Sequence, residues 1–238
     1  WMVSPRNICD SACNRYHSDG AIRVPYQGTA DFFSAIEDAV AAARRNPGGA
    51  GPAYIHAYYP VLDGLMHEYG TGDPRVGQRL QRFDAAFAAC LDRLAGSDTL
   101  FVVTADHGFI DAPRRHLIEL DAHPQLAALL ARPLCGERRV AYAYVAPANQ
   151  EAFAAYVRRH LAHACHLFTG AEFIAAGWFG PGPAHPRLAS RVGDFVLLMQ
   201  DDWTIKDWLP GERRYDQPGV HAGASAAEMR VPLIVVRP

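Results

Sequence analysis

The chain has 238 residues, half of them hydrophobic, with a formal net charge of −2 and a sequence pI near 6.6. A chain of this length and composition can bury a core of ordinary size, which excludes a disordered tail and predicts a single domain over residues 1–238. The balanced charge gives no broad basic field, so the composition indicates neither a nucleic acid polymer nor an anionic membrane surface as a partner.

Apolar runs alternate with amphipathic stretches along the chain. The patterns predict helices at about 29–45, 74–95, 119–131 and 149–164, and strands at about 52–58, 99–104, 139–146, 193–199 and 231–236. Asp73 and Pro74 mark the start of the second helix, and Gly96 marks its end. Stretches rich in proline and glycine predict surface loops at 46–52, 180–186 and 209–224. This alternation predicts a layered α/β fold.

The cysteines bear on the compartment in which the protein works. They form an odd, scattered set without a CxxC pair: Cys9, Cys13, Cys90, Cys135 and Cys165. This pattern argues against a disulfide framework and favours a reducing compartment, so we expect a cytoplasmic protein. No apolar run approaches the length of a membrane-spanning helix, and we expect no membrane partner.

Asp63 and His67 form the first candidate metal cluster. They are four residues apart, so on a helix both side chains project from one face and can reach a common ion. The alternative is a surface ion pair. Because residues 54–59 have the pattern of a buried strand, Asp63 would lie just beyond the carboxyl end of a strand, where open α/β sheets assemble their sites. We therefore predict that both residues bind metal.

Two further clusters follow later in the chain. Asp106 and His107 come after the apolar run 100–103, and Gly108 permits a sharp turn there. The alternative is an N-capping aspartate beside an ordinary loop histidine. His221 lies between Gly219 and Gly223, where a histidine alone would usually be exposed to solvent. Because the sequence also contains two Asp-His pairs, His221 is a candidate ligand.

Taken together, the clusters have the composition of a two-metal hydrolytic site. Mixed carboxylate and imidazole ligands favour Zn²⁺, with Mn²⁺ or Fe as rivals, over an all-oxygen Ca²⁺ or Mg²⁺ cage. The other histidines, and one cysteine beside them, are interpreted as structural or surface residues: His17, His56, His116, His123, His160, His163, Cys165, His166 and His185.

Three motifs in this order resemble the type I phosphodiesterase and nucleotide pyrophosphatase family of the alkaline phosphatase superfamily. They are residues 59–70 (YPVLDGLMHEYG), residues 104–108 (TADHG), and residues 221–223 (HAG) with 228–233 (EMRVPL). Residues 191–194 (RVGD) are also similar to a segment that leads into a strand of that family. The resemblance runs from about residue 20 to the C-terminus. It implies a three-layer α/β/α sandwich of the alkaline phosphatase type with a mostly parallel central sheet.

The same resemblance implies roles for the ligands. Asp63, His67 and His221 would hold one zinc ion, and Asp106 and His107 would hold the second. Members of the family also have a further aspartate near the N-terminus and then a threonine or serine nucleophile, and residues 1–50 contain neither in a recognisable setting. We therefore expect the first strand and the nucleophile helix to precede Trp1, and we expect the chain without them to be inactive.

The expected activity is hydrolysis of phosphate diester or pyrophosphate bonds in small-molecule phosphate esters or nucleotides. An in-line attack on phosphorus needs positive charge at the entering and the departing oxygen, which two ions supply. The alternatives are another phosphoesterase of the superfamily, such as a monoesterase or a phosphonate hydrolase, and a non-catalytic metal-binding remnant.

Overall fold

The computed structural model describes residues 1–45 and 52–238. Most of the predicted loop at 46–52 therefore lies outside the described residues. Contacts divide the chain into two compact units. Unit 1 comprises Trp1–Leu65, Gly72–Thr104 and Pro232–Pro238, and unit 2 comprises Met66–Thr71 and Ala105–Val231. The single domain expected from the sequence stays a prediction.

Unit 1 contains two sheets and the longest helices. Its strands are β1 (Met2–Pro5), β2 (Arg23–Tyr26), β3 (His56–Ala57), β4 (Phe101–Thr104) and β13 (Leu233–Val236). Its helices are α1 (Arg6–Cys9), α2 (Ala12–His17), α3 (Thr29–Arg45), α5 (Pro74–Arg93) and the first residues of α4 (Val61–Tyr69). Strand β1 lies between β2 and β3 in a parallel sheet, whereas β4 and β13 pair in antiparallel fashion.

The core of unit 1 forms where α3 and α5 pack. Phe32 and Phe33 from α3 contact Phe83 from α5, with ring centroids 6.0 and 5.2 Å from it. Helix α5 begins as the sequence predicts, because the carboxylate of Asp73 accepts a hydrogen bond from the backbone N–H of Arg75 at 2.9 Å and Pro74 occupies the first turn. Phe83, Phe87 and Cys90 of α5 pack in the same apolar cluster as Val3 of β1, whereas Leu80 of the predicted apolar stripe is exposed.

Unit 2 is built around an antiparallel sheet in the order β7-β8-β10-β9. The strands of this unit are β5 (Ile110–Asp111), β6 (Leu117–Glu119), β7 (Cys135–Gly136), β8 (Val140–Ala143), β9 (Cys165–Thr169), β10 (Phe195–Met199), β11 (Thr204–Lys206) and β12 (Gly219–Val220). Its helices are α6 (Pro124–Ala127), α7 (Gln150–His160), α8 (Gly170–Ala175), α9 (Leu188–Val192) and α10 (Ala226–Met229). Every residue of β10 is buried, with Leu197 in one apolar cluster and Val196 in another on the opposite face.

Three of the predicted elements differ from the structure. The surface loop predicted at 209–224 contains the buried strand β12. The helix predicted at 119–131 is broken into a 3₁₀ turn, Leu120–Ala122, and the short α6, because Pro124 lacks an N–H and starts a new helix. The strand predicted at 52–58 is limited to the two residues of β3, which pair with Met2 and Val3. Tyr54 is 76% exposed, so this segment is not the buried strand that its apolar pattern suggested.

The α/β class predicted from the sequence is confirmed, and the sheets are mixed. The parallel pairings are those of β1 with β2 and β3 and of β11 with β6, and the remaining named pairings are antiparallel. Among residues 1–45 and 52–238, no helix combines the length and the apolar character that a membrane span needs.

The cysteines are free thiols, as the scattered spacing predicts. Cys9, Cys90 and Cys165 are buried, while Cys13 and Cys135 are exposed. Burial raises the pKa of Cys90 and of Cys165 to about 12, so both thiols stay protonated near neutral pH and are chemically inert.

Candidate metal centre

Helix α4 carries the first Asp-His pair as the sequence predicts. Asp63 lies in its first turn and His67 in its last turn, so the two side chains are one turn apart on the same side of the helix. Nδ1 of His67 is 2.9 Å from the carbonyl oxygen of Gly219. Since a carbonyl oxygen only accepts, this contact is a hydrogen bond when Nδ1 carries the proton. The lone pair of the ring is then on Nε2, the arrangement typical of a metal-binding histidine.

The residues after His67 fix the end of α4 within unit 2. The backbone N–H and the hydroxyl of Thr71 donate hydrogen bonds to the carboxylate of Asp111 at 2.6 and 3.0 Å. Gly70 adopts a positive φ of 86° beside this carboxylate, and a Cβ on Gly219 would lie 2.1 Å from the carbonyl oxygen of Met66. His67 therefore lies against the strand that leads to His221.

The Asp106-His107-Gly108 turn requires its glycine. A Cβ on Gly108 would lie 1.9 Å from the carbonyl oxygen of Ala227, and the N–H of Gly108 donates a hydrogen bond to the carbonyl oxygen of Glu228 at 2.7 Å. Nδ1 of His107 is 3.1 Å from the carbonyl oxygen of Gly108, and this contact is a hydrogen bond when Nδ1 carries the proton. Oδ1 of Asp106 is 3.6 Å from that Nε2, and the Asp106 side chain is 69% exposed.

A short antiparallel ribbon brings His107 and His221 together. Strand β5 follows His107 and strand β12 precedes His221, and the two strands pair with Ile110 opposite Val220. Because the strands run in opposite directions, the residue before one and the residue after the other lie at the same end of the ribbon. The two imidazole rings are stacked there, with centroids 3.6 Å apart and an angle of 11° between their planes.

Phe109 packs against all three imidazoles. Its ring centroid is 4.9 Å from that of His67, 5.4 Å from that of His107 and 5.1 Å from that of His221. The rings of His67 and His221 have centroids 4.9 Å apart. Apolar contacts of this kind lower the local dielectric beside the imidazoles, which strengthens their electrostatic interaction with a cation.

These residues fit a transition metal. Ligand nitrogens of His107 and His221 lie within 4.8 Å of each other, and both side chains are half-buried. Nδ1 of His67 and of His107 each contact a backbone carbonyl oxygen, and an imidazole whose Nδ1 donates such a bond has its lone pair on Nε2, the form that binds metal. His67, His107 and His221 are thus brought together in unit 2, and Asp106 adjoins them through His107. Asp63 as a ligand and the division of the set between two ions stay predictions.

The backbone immediately after His221 is strained. Ala222 has a φ of +79°, in the left-handed region that L-residues other than glycine rarely adopt. Positive φ at a non-glycine residue is often found at functional sites, where the surrounding structure holds it. Here the strained residue directly follows His221.

Replacing Ala222 with glycine should raise the free energy of unfolding by about 1 kcal/mol, because glycine adopts positive φ without a steric penalty. Zinc affinity should stay unchanged, since no ligand is altered. Urea unfolding and a zinc competition titration measure the two quantities. Ala155, exposed within α7, is the matched control, because glycine there should lower stability by about 1 kcal/mol. A destabilised Ala222→Gly protein would contradict the assignment of strain.

Three neighbours of the site were not singled out from the sequence as contributing to it. Phe109 directly follows the Asp-His-Gly turn. An aromatic residue next to that turn was the one feature of the sequence that could have indicated a contact with the site. Gln217 has its amide nitrogen 2.6 Å from Nδ1 of His67, and Glu228 accepts from the turn at Gly108. Both partners are distant in sequence from the residues they contact, so spacing could not identify them.

Several histidines interpreted as structural have partners of their own. Nδ1 of His116 is 2.5 Å from Oδ1 of Asp202, and its ring stacks on that of Trp203. The sequence shows no carboxylate at ligand spacing from His116. His160 packs on the ring of Tyr156 and His163 on that of Trp203, with centroids 4.4 and 4.8 Å apart. Their different partners are consistent with structural roles.

The chain resembles several solved structures. Murine ectonucleotide pyrophosphatase/phosphodiesterase 5 has 21% identity and a TM-score of 0.64, and the match covers 90% of this chain and 54% of that protein. The human protein of the same name has 18% identity and a TM-score of 0.65, with coverage of 98% and 59%. Phosphonoacetate hydrolase from Sinorhizobium meliloti, in complex with phosphonoformate, has 20% identity and a TM-score of 0.58, with coverage of 87% and 49%.

The chain therefore spans between 49% and 59% of the length of these structures, and at such identities the likeness establishes the fold. No curated protein matches the chain. The family model described as type I phosphodiesterase / nucleotide pyrophosphatase matches residues 3–223, which is nearly the whole chain and includes every residue of the candidate site. The chain belongs to the type I phosphodiesterase/nucleotide pyrophosphatase family of the alkaline phosphatase superfamily.

Proposed function

We propose that the protein is a metal-dependent hydrolase of phosphate diester or pyrophosphate bonds, with small-molecule phosphate esters or nucleotides as substrates. The observation that carries the proposal is the convergence of His67, His107 and His221 around Phe109, in a chain that belongs to this family. Murine ectonucleotide pyrophosphatase/phosphodiesterase 5, to which the fold is similar, has been solved as an inactive variant in complex with AMP, which supports a nucleotide as one substrate class.

Each residue of the site would have a separate role in binding the metal ions or in orienting a ligand. The three histidines would hold the two ions through ring nitrogens, and Asp63 and Asp106 would add carboxylate oxygens, a set that favours zinc over manganese. A pair of divalent ions supplies positive charge to the entering and departing oxygens of a phosphoryl group. The carbonyl oxygens of Gly219 and Gly108 would orient the rings of His67 and His107 by accepting from Nδ1, and the ring of Phe109 would pack against both imidazoles.

The proposal includes parts that rest on the sequence alone. A hydroxyl nucleophile and a further aspartate, which the family resemblance implies, have no recognisable counterpart among residues 1–50, so residues 1–238 by themselves would bind metal without turnover. Asp63, His67 and His221 would hold one ion and Asp106 and His107 the other. We also keep the cytoplasmic location and the absence of a membrane or nucleic acid polymer partner as proposals.

Hydrolysis of two chromogenic substrates tests the proposal. A full-length protein that contains this chain should hydrolyse bis(para-nitrophenyl) phosphate faster than para-nitrophenyl phosphate, because the family acts on diesters. A chelator should abolish the activity and added Zn²⁺ should restore it. Residues 1–238 alone should bind Zn²⁺ in equilibrium dialysis and release no nitrophenol.

Each alternative gives a different result in this assay. A faster rate with the monoester would assign the protein to the monoesterases of the superfamily, and cleavage of phosphonoacetate with neither ester hydrolysed would assign it to the phosphonate hydrolases. Activity that survives complete metal removal would refute the metal-dependent mechanism. Zinc binding without any turnover by the full-length protein would favour a non-catalytic remnant.

A further inference from the structure

A buried ion pair lies directly behind the loops that carry His107 and His221. The guanidinium of Arg139 donates hydrogen bonds to the carboxylate of Glu228 from Nε at 2.8 Å and from Nη2 at 2.9 Å. Both side chains are only 1% exposed. Buried charges of this kind are costly to maintain and contribute less to stability than their geometry suggests. Stability therefore does not account for this ion pair, and its position beside the candidate metal centre points to another role.

Glu228 holds the loop that follows His221. Its Oε1 accepts a hydrogen bond from the N–H of Gly223 at 2.8 Å, and its Oε2 accepts one from the hydroxyl of Ser225 at 2.7 Å. A Cβ on Gly223 would lie 2.6 Å from either carboxylate oxygen, so the loop passes over the carboxylate with no room for a side chain. The carboxylate therefore determines where the backbone lies two residues after His221.

The same residue holds the turn that carries His107. The backbone carbonyl of Glu228 accepts the hydrogen bond from the N–H of Gly108 at 2.7 Å. One residue thus contacts the His107 turn with its main chain and the His221 loop with its side chain. Because the two imidazoles stack at 3.6 Å, a shift of Glu228 would change their relative position.

Arg139 anchors Glu228 to the rest of unit 2. Nη1 of Arg139 donates hydrogen bonds to the carbonyl oxygens of Trp203 at 2.6 Å and of Gln200 at 3.3 Å. Arg139 immediately precedes β8 of the four-stranded sheet, and its own carbonyl accepts from the N–H of Met199 at the end of β10. The guanidinium thus connects the carboxylate to the rigid sheet. Because two of its N–H groups donate to the two carboxylate oxygens, it fixes both the position and the orientation of the carboxylate.

We propose that Glu228, anchored by Arg139, is a positioning residue that sets the relative position of the His107 and His221 imidazoles, and with it the geometry in which each ring serves its own ion of the pair. The inference rests on the proposed metal-dependent function. A positioning role differs from a purely structural one in what the loss of both charges should change. We expect the fold to persist without them and the relative position of the two imidazoles to change. Replacing both partners of a buried ion pair by apolar residues of similar volume is often neutral for stability.

The test is the double variant Glu228→Met with Arg139→Met. We expect a cooperative thermal transition close to that of the wild-type protein and a Zn²⁺ affinity lower by about 10–100-fold, the usual cost of losing a partner that orients metal ligands. In the metal-free protein, the ring ¹⁵N resonances of His107 and His221 should move while those of the distant His185 stay in place. The control is the double variant Glu37→Met with Arg93→Met, which removes a bidentate but partly exposed pair from unit 1.

The possible outcomes separate this inference from the proposed function. Unchanged zinc affinity and unmoved histidine resonances in the folded double variant would overturn the positioning role. If the wild-type protein binds no Zn²⁺, the proposed function fails, and the resonances still decide whether Glu228 positions the rings. If the double variant does not fold, Glu228→Asp decides by the same measurements, because it keeps the charge but shortens the reach to Gly223. An equal loss of affinity in the control pair would also contradict the proposal.

Discussion

Replacing Arg139 alone with methionine should lower the free energy of unfolding by about 3–5 kcal/mol. The substitution leaves the carboxylate of Glu228 buried without the cation that donates two hydrogen bonds to it. The carbonyl oxygen of Trp203 also loses its donor. Urea unfolding at neutral pH measures the change, and the double variant with Glu228→Met is the control, because it removes the unpaired charge. A single variant as stable as the wild-type protein would contradict the burial of this pair.

The penalty of the Arg139→Met substitution should depend on pH with a defined sign. Burial alone raises the pKa of Glu228, but hydrogen bonds from Arg139 and Ser225 outweigh it and hold this pKa below its ordinary value in the wild-type protein. The pair therefore stabilises the wild-type fold above the ordinary carboxyl range, and this contribution is lost as the pH falls through the lowered pKa. Without Arg139, burial dominates and the carboxyl group protonates more readily. The difference in stability between the two proteins should thus shrink as the pH falls from 7 towards about 4.

Replacing His221 with alanine should reduce Zn²⁺ affinity by more than the roughly 10–100-fold expected for loss of a residue that only orients a ligand. His221 is in contact with both other imidazoles, at centroid distances of 3.6 Å from His107 and 4.9 Å from His67, so its removal would leave neither of them with a neighbouring third nitrogen. Competition with a chromophoric chelator measures affinity, and elemental analysis measures the number of ions bound.

His166 is the matched control for the His221 experiment, because it is an exposed histidine on β9 within the same unit. His166→Ala should leave both affinity and stoichiometry unchanged. Full retention of zinc by His221→Ala would remove His221 from the ligand set. A loss of one ion out of two would instead support the division in which His221 serves only the first ion.

The sequence by itself determined the local elements and the type of chemistry. Asp73, Pro74 and the apolar stripe from Val76 onwards defined the start of α5, since capping and helical periodicity act over a few residues. The five metal candidates could be selected because carboxylate and imidazole beside small residues are an unusual combination. The incorrect predictions of secondary structure also had local causes. Pro124 interrupted a periodicity that otherwise indicated one long helix, and β3 is shorter than the strand that the apolar pattern predicted.

Only the tertiary structure decided how these residues meet. The stacking of His107 on His221 depends on the pairing of β5 with β12, two strands of two residues each that are separated by about a hundred residues of sequence. The contact of Glu228 with Gly108 and its anchor at Arg139 likewise join segments that no local pattern pairs, whereas its contact with Ser225 is a capping box that the sequence spacing allows. Sequence patterns report interactions along a helix turn or a strand, whereas the position of a catalytic side chain depends on packing and hydrogen bonds between distant segments.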